Sequence, residues 1–341
     1  MAERKATSFD IAAKAGVSQS TVSRALRDSP LVNPETRARV QAIARELNYQ
    51  VDRTASSLRT GHTRTLALLL FEDAPEDASP INPFFLSMLG SITKACSAHD
   101  YDLLVSFQHP EEDWYARYEE AHRADGLILL GYGDYVSAHP TLQRLADSGA
   151  HWVIWGPRLS FEHGICVGSD NALGGYQATR HLLQKGRRNI AFLGCNSEQA
   201  PEFADRFSGY QKALKEARLS ANDNLQVYAE SFEASGASAV ASLLDAGLEF
   251  DALVCASDLI AIGAMRFLQD QGIAVPDDVA IIGFDDIQAA AYCSPALTTV
   301  RQDVKRAGET MVDLLLELIE NGDETSRLLE PQLIVRESCG S

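Results

Sequence analysis

Through the first fifty residues, apolar positions recur at helical spacing in three short bursts. Ile11, Ala12, Val17, Val22 and Leu26 are placed to meet in an elbow between two helices, and Val40, Ile43, Ala44 and Leu47 form an i, i+3, i+4, i+7 stripe on a third. Polar residues punctuate these bursts. Thr7 with Asp10 offers a compact capping box for a helix running to about Ala15, and Gly16 supplies a residue that tolerates positive φ. Ser18 caps a second helix from Gln19 to about Arg27, and Asn33 with Pro34 and Glu35 opens the third. The pattern predicts a three-helix unit whose first pair is a helix-turn-helix. After Arg64 the texture changes to buried β-rich runs at 66–71, 101–107, 126–130 and 152–155, then a second series at 164–167, 189–194, 225–228, 252–256 and 279–284. The segments between them are long enough for crossover helices, so the expected fold class is α/β, with a helix-turn-helix head and two doubly wound parallel-sheet subdomains. Ligands of such sheets sit beyond the carboxyl ends of the strands.

Charge sharpens the division. The chain of 341 residues has a formal net charge of −17, which by itself argues against a polyanionic partner. Yet residues 1–64 hold eleven Arg and Lys against six Asp and Glu, so a basic head precedes an acidic body. That asymmetry is expected of a DNA-binding module attached to something else. Apolar residues at 45% and charged residues at 23% exclude long disorder, collagen and a disulfide scaffold. The six cysteines, Cys96, Cys166, Cys195, Cys255, Cys293 and Cys339, lie far apart without Cys-x-x-Cys or zinc spacing, and are expected as reduced, buried thiols. No signal-like apolar stretch opens the chain, and the longest apolar runs fall short of the roughly 20 residues a bilayer requires, so a soluble, cytoplasmic protein is expected. Gly-x-Ser-x-Gly, Walker, Gly-x-Gly-x-x-Gly and His-Glu-x-x-His motifs are all missing. The pairs Asp277-Asp278 and Asp285-Asp286 are neighbours that tend to point apart. Neither catalysis nor a cofactor nor a metal is therefore expected.

The second helix presents Gln19, Ser20, Thr21, Ser23, Arg24 and Arg27, where amides, hydroxyls and guanidinium groups can meet base edges or phosphates in a major groove. Residues 52–61 are too short to hold a helix alone and should order only with a partner and DNA, leaving Leu58 as a wedge. Asp10-Ile11-Ala12, Ala15-Gly16-Val17-Ser18, Thr21-Val22-Ser23-Arg24, Val32 to Arg37, Glu46 to Tyr49, and Arg53 with Ala55 and Leu58 resemble the head and hinge of the lactose/galactose repressor family of bacterial regulators. By that resemblance Gln19, Ser20 and Arg24 read bases, and Thr7, Ser18, Ser23, Asn33 and Thr36 lie near phosphates. Tyr49 and Ala55 join the DNA-facing set, and Leu58 enters the minor groove beside its dimer mate.

The resemblance continues through Asn82 to Phe85, Asp170-Asn171, Arg206 to Tyr210, Ser257-Asp258, Ala261 to Ala264, Gly283 to Asp286 and Leu297 to Gln302. It implies a head at 1–50, a hinge at 51–64, and a core at 65–341 like periplasmic sugar-binding proteins. The N-subdomain would take about 65–164 and 301–330, and the C-subdomain about 165–300 and 331–341, with crossings near 165, 300 and 330. Arg206, Phe232, Ser257, Asp285 and Gln302 would face an effector, with Phe84 and Trp155 as further stacking surfaces. A guanidinium and a carboxylate can each pair with adjacent hydroxyls while an aromatic face covers C–H groups, which suits a sugar. The same aromatics would also stack a nucleobase or nucleoside. The implied protein is a homodimeric repressor of carbohydrate-utilisation genes on a pseudo-palindromic operator, released by a mono- or disaccharide; a corepressor-type regulator is the other arrangement. The terminal residues 333–341 carry no apolar heptads, so no tetramer bundle is expected, and no membrane partner.

Overall fold

The computed structural model describes residues 6–49, 62–71, 81–108, 113–131, 135–157, 164–219, 221–322 and 325–340. It divides into two compact units, Met1–Thr63 and Arg64–Ser341. The hinge positions Ala55 and Leu58 lie outside the described residues.

In the first unit, α1 (Ser8–Ala15), α2 (Gln19–Leu26) and α3 (Pro34–Glu46) form around one small core. Local chemistry accounts for each boundary. The Thr7 hydroxyl accepts from the Asp10 amide while the Asp10 carboxylate takes the Thr7 amide at 2.8 Å, a complete capping box. Gly16 stops α1 in the left-handed region at φ 65°, where a side chain would be strained. Ser18 Oγ accepts the Thr21 amide at 3.2 Å, and Asn33 Oδ1 that of Thr36 at 3.0 Å, with Pro34 in the first turn. Ile11, Val22, Ala25 and Val40 are fully buried where the helices meet, with Val17, Leu26, Ile43, Leu47 and Tyr49 packed around them.

The second unit holds two six-stranded sheets. The first has the order β11-β5-β4-β3-β1-β2 and the second β12-β10-β9-β8-β6-β7. The first contains β1 (Thr65–Phe71), β2 (Asp102–Gln108), β3 (Gly126–Leu130), β4 (Trp152–Trp155), β5 (Ile165–Ser169) and β11 (Arg327–Leu329). The second contains β6 (Ile190–Leu193), β7 (Gln226–Val227), β8 (Ala252–Cys255), β9 (Ala280–Asp285), β10 (Thr298–Arg301) and β12 (Gln332–Ile334). Every pairing is parallel except β10 with β12.

One expectation is corrected. The run at 164–167, expected to open the second series and the C-subdomain, is β5 of the first sheet, where Val153 pairs with Ile165 and Trp155 with Val167. All five of its residues are buried, so it has no polar face to mark which sheet it joins. The second lobe therefore begins after Ser169. The chain passes between lobes there, again between β10 and the Val304–Asn321 helix, and once more between β11 and β12. Val304–Asn321 packs on Pro83–Ala98 and against the first sheet.

All six cysteines are free; five are buried and Cys293 is half-buried. Among the described residues, no helix is long and apolar enough to cross a membrane, and no group of three or more His, Cys, Asp or Glu could hold a metal ion.

Candidate DNA-reading face and effector cleft

On α2, Gln19, Ser20 and Arg24 are exposed, as is its C-cap Arg27, while Thr21 and Ser23 are half-buried. Ser18 Oγ lies 2.8 Å from both Ser20 Oγ and Thr21 Oγ1, so the cap and the start of the helix share one hydroxyl network. Arg27 folds back on Ser23, donating to its carbonyl at 3.1 Å and its hydroxyl at 3.0 Å. Gln19 reaches across to α1, its Nε2 donating to Ser8 Oγ at 3.0 Å. Ser18 and Asn33 cap the N-termini of α2 and α3, and amides at a helix N-terminus can donate to phosphate oxygens. Thr7 spends its hydroxyl on Asp10, Thr36 is half-buried beside its own cap, and Tyr49 is packed against the core.

In the second unit, Arg206 projects from the Pro201–Glu216 helix and is only 1% exposed. A guanidinium so deep must satisfy its donors. Nε donates to Asn171 Oδ1 at 2.8 Å, and one terminal nitrogen donates to the Ala256 carbonyl and stands 3.9 Å from Asp285 Oδ1. Its plane lies 3.8 Å from the Phe284 ring centroid. The helix beneath is set by glycines: a Cβ at Gly175 would run into the Arg206 carbonyl, and one at Gly209 into that of Ala172.

Asp285 ends β9, and its Oδ1 accepts from Gln302 Nε2 at 2.7 Å. Asp285 and Asp286 both have positive φ, 113° and 56°. The pair diverges as expected, because Asp286 is held by Arg301 at 2.6 Å and Arg336 at 2.5 Å. Asp258 anchors the same turn from below. Its carboxylate accepts Thr299 Oγ1 at 2.5 Å and the Ile287 amide at 2.9 Å, and a Cβ at Gly283 would run into it. Burial, then the nearby Asp285 charge, holds the Asp258 carboxyl well above the usual range.

Ser257 is fully buried and caps the Asp258–Asp270 helix. Its Oγ also accepts from Ser231 Oγ at 2.8 Å, and Ser231 Oγ in turn accepts from Asn82 Nδ2 at 3.2 Å, so this chain of bonds joins the second lobe to the first. Asn82 caps the helix that carries Phe84, whose ring lies 6.1 Å from that of Trp155. Phe232, half-buried, sits next to Ser231 at the start of the Glu233–Asp245 helix. A second bond between lobes runs from the Tyr135 hydroxyl to Glu202 Oε1 at 2.7 Å, beside one from the Tyr135 amide to the Gln199 carbonyl at 3.2 Å. Glu202 is 3% exposed, and burial pushes its carboxyl up despite the Tyr135 bond and the Arg206 charge.

Of the expected cleft residues, Arg206, Asp285 and Gln302 form one buried polar chain, and Phe84 with Trp155 a buried aromatic pair, 1% and 3% exposed within the core. Sequence reasoning missed Ser231, Tyr135 and Glu202, which join the lobes, and the anchoring role of Asp258. Asn82, Asn171 and Asp258 stood within the stretches that carry the resemblance, but nothing in the sequence distinguishes Tyr135 or Glu202 from ordinary helix-start residues.

The head matches the family model described as bacterial regulatory proteins, lacI family, over residues 9–52, and the body matches the periplasmic binding protein-like domain over residues 179–339. The HTH-type transcriptional repressor PurR of Vibrio atlanticus is 32% identical over 338 residues, covering 97% of this chain and 98% of the relative. A solved complex of the transcriptional regulator CelR with cellobiose is 31% identical, with a TM-score of 0.73 and coverage of 98% of this chain and 99% of that one. The lac repressor dimer bound to operator and the anti-inducer ONPF is 25% identical, with a TM-score of 0.82 and coverage of 98% and 99%. With a helix-turn-helix head, a two-lobed body and relatives that are transcriptional regulators rather than enzymes, the chain belongs to the lacI family of bacterial regulatory proteins.

Proposed function

We propose that this regulator is a cytoplasmic repressor of carbohydrate-utilisation genes that grips a pseudo-palindromic operator as a homodimer and is released by a mono- or disaccharide. The observation that carries the effector assignment is the buried Arg206–Asp285–Gln302 chain, together with the buried Phe84–Trp155 ring pair. A carboxylate held by a guanidinium and a carboxamide presents directed acceptors and donors for vicinal hydroxyls, and the rings offer an apolar face for C–H groups. Ser257, at the end of the bonds from Asn82, and Phe232 complete the set. On the head, Gln19, Ser20 and Arg24 read bases, with Arg27 and Thr21 beside them. Thr7, Ser18, Ser23, Asn33 and Thr36 hold phosphates, Tyr49 and Ala55 join the DNA-facing set, and Leu58 enters the minor groove. Two identical heads require a two-fold site, as in the related lac repressor dimer bound to operator. A sugar that favours one arrangement of the lobes by about 1 to 3 kcal/mol would change operator affinity roughly 5 to 150-fold.

The test is a thermal-shift screen of the full chain against mono- and disaccharides, nucleobases, nucleosides and phosphosugars. A ligand at 100 times its Kd adds about 2.7 kcal/mol to the folded state. The expected result is a saccharide that shifts melting, with the shift abolished in Asp285→Ala. A purine hit would move the assignment to base stacking on Phe84, Phe232 and Trp155, and a saccharide shift surviving in Asp285→Ala would remove Asp285 from the site.

A further inference from the structure

Gln19, the first residue of the proposed reading helix, is not left to move freely in solvent. Its Nε2 donates to Ser8 Oγ at 3.0 Å, across the turn that joins α1 to α2. Ser8 is itself immobilised, being the first residue of α1 and half-buried directly after Thr7. The Thr7–Asp10 capping box fixes that helix end through three hydrogen bonds between the same residues. The base of α2 is fixed from the other side by the Ser18 cap on the Thr21 amide. Both ends of the Ser8–Gln19 bond therefore sit on backbone that cannot rotate away, and the bond ties down a long side chain with many rotamers.

We propose that Ser8 is a specificity-determining positioning residue: it orients the Gln19 carboxamide so that its remaining donor and its acceptor meet one adenine in the operator half-site. This rests on the assignment of Gln19 as a base-reading residue. A carboxamide has two N–H donors and one oxygen acceptor. Ser8 occupies one N–H, leaving the other N–H and Oε1. That residual pair matches adenine N7 and the N6 amino group in the major groove. Guanine offers two acceptors there, so Oε1 would face an acceptor, and the contact discriminates between the purines. Without Ser8 the amide can rotate, present either end, and pay its ordering cost on binding, so discrimination falls while the phosphate contacts stay intact.

The experiment uses the full chain and a half-site library. A preferred operator is first selected from random duplex DNA, and binding is then measured with all four base pairs at each half-site position for wild type, Gln19→Ala, Ser8→Ala and Ser8→Thr. Wild type is expected to prefer A·T at one position, and Gln19→Ala to abolish that preference. Ser8→Ala should lower the A-over-G ratio at that position alone by about threefold to tenfold, with the other positions and the salt dependence unchanged. Ser8→Thr, which keeps the hydroxyl, should restore the ratio. Alanine is well tolerated in a first helical turn, and an unchanged melting curve for the head checks that the fold survives. A ratio that stays at the wild-type value in Ser8→Ala while Gln19→Ala collapses it overturns the role of Ser8 and leaves Gln19 as reader. A Gln19→Ala protein with unaltered preference at every position overturns the base-reading assignment and the proposal together. A uniform loss of affinity at all positions in Ser8→Ala also overturns it, because that marks a phosphate or folding contact.

Discussion

Tyr135→Phe removes a single oxygen from the contact between lobes and should loosen closure of the cleft without unfolding either lobe. In the structure that oxygen donates to Glu202 Oε1 at 2.7 Å, and both residues are buried. The site is tight: a Cβ at Gly156 would run into the Tyr135 hydroxyl. A net hydrogen bond is worth about 1 kcal/mol between neutral groups and about 1.5 to 3 kcal/mol to a charged one. Burial raises the Glu202 carboxyl, which places the loss toward the lower part of that range, about 1 to 2 kcal/mol. Because Tyr135 and Glu202 belong to different lobes and water can serve both when the lobes part, the loss falls on the closed arrangement. Its population against open forms should drop by a factor of roughly 5 to 30. Hydrogen exchange reads this directly at the Tyr135 amide, which is bonded to the Gln199 carbonyl across the same gap. Exchange there should accelerate by that factor, while amides inside β1 and β9 keep their protection. An effector that binds the closed form would lose apparent affinity only as far as the closed fraction itself falls. Equal acceleration at the central strands, or none at Tyr135, would refute the closure argument, since the first marks global destabilisation and the second a bond without consequence.

Two further outcomes follow from the same geometry. The Glu202 and Asp258 carboxyls are both raised by burial, so their contribution to stability is complete below their ordinary values of 4.5 and 3.8 and is lost as pH rises through the higher folded values. His151, raised by the hydrogen bond it donates to Glu119, acts in the same direction above its ordinary 6.5, and His181, lowered by burial, opposes it. The main melting transition should therefore rise as pH is lowered from 8 toward 5, and Glu202→Gln should flatten that dependence; an unchanged slope in the variant would count against a buried Glu202. Gly175→Ala drives a Cβ into the Arg206 carbonyl and must separate two helices, at a cost of about 1 to 3 kcal/mol. Melting should fall and the saccharide-induced shift should shrink, because the displaced helix carries the guanidinium that holds Asp285.

The parts of this molecule that were legible in its sequence are those whose cause is local. A capping box, a left-handed glycine and a proline in the first turn act over three or four residues, so Thr7, Gly16, Ser18 and Asn33-Pro34 mark the head helices to within a residue or two. The strands were legible as apolar runs, but their allocation was not. β5 is buried along its whole length, and a run with no exposed side carries no mark of the sheet it joins; it required its partners β4 and β11. The candidate site divides in the same way. Arg206, Asp285 and Gln302 were placed by resemblance, yet their joining into one chain depends on β9, β10 and the Pro201–Glu216 helix converging. Asp285 and Asp286 could be expected to diverge, since adjacent residues seldom face one partner, but which of them meets Arg206 follows from two positive φ angles that Asp258 and Gly283 secure. Tyr135 and Glu202 stand at ordinary helix starts 67 positions apart, and no periodicity connects them. The residues hardest to find from sequence are the ones whose partners lie on the other lobe, because only the folded path of the chain brings them together.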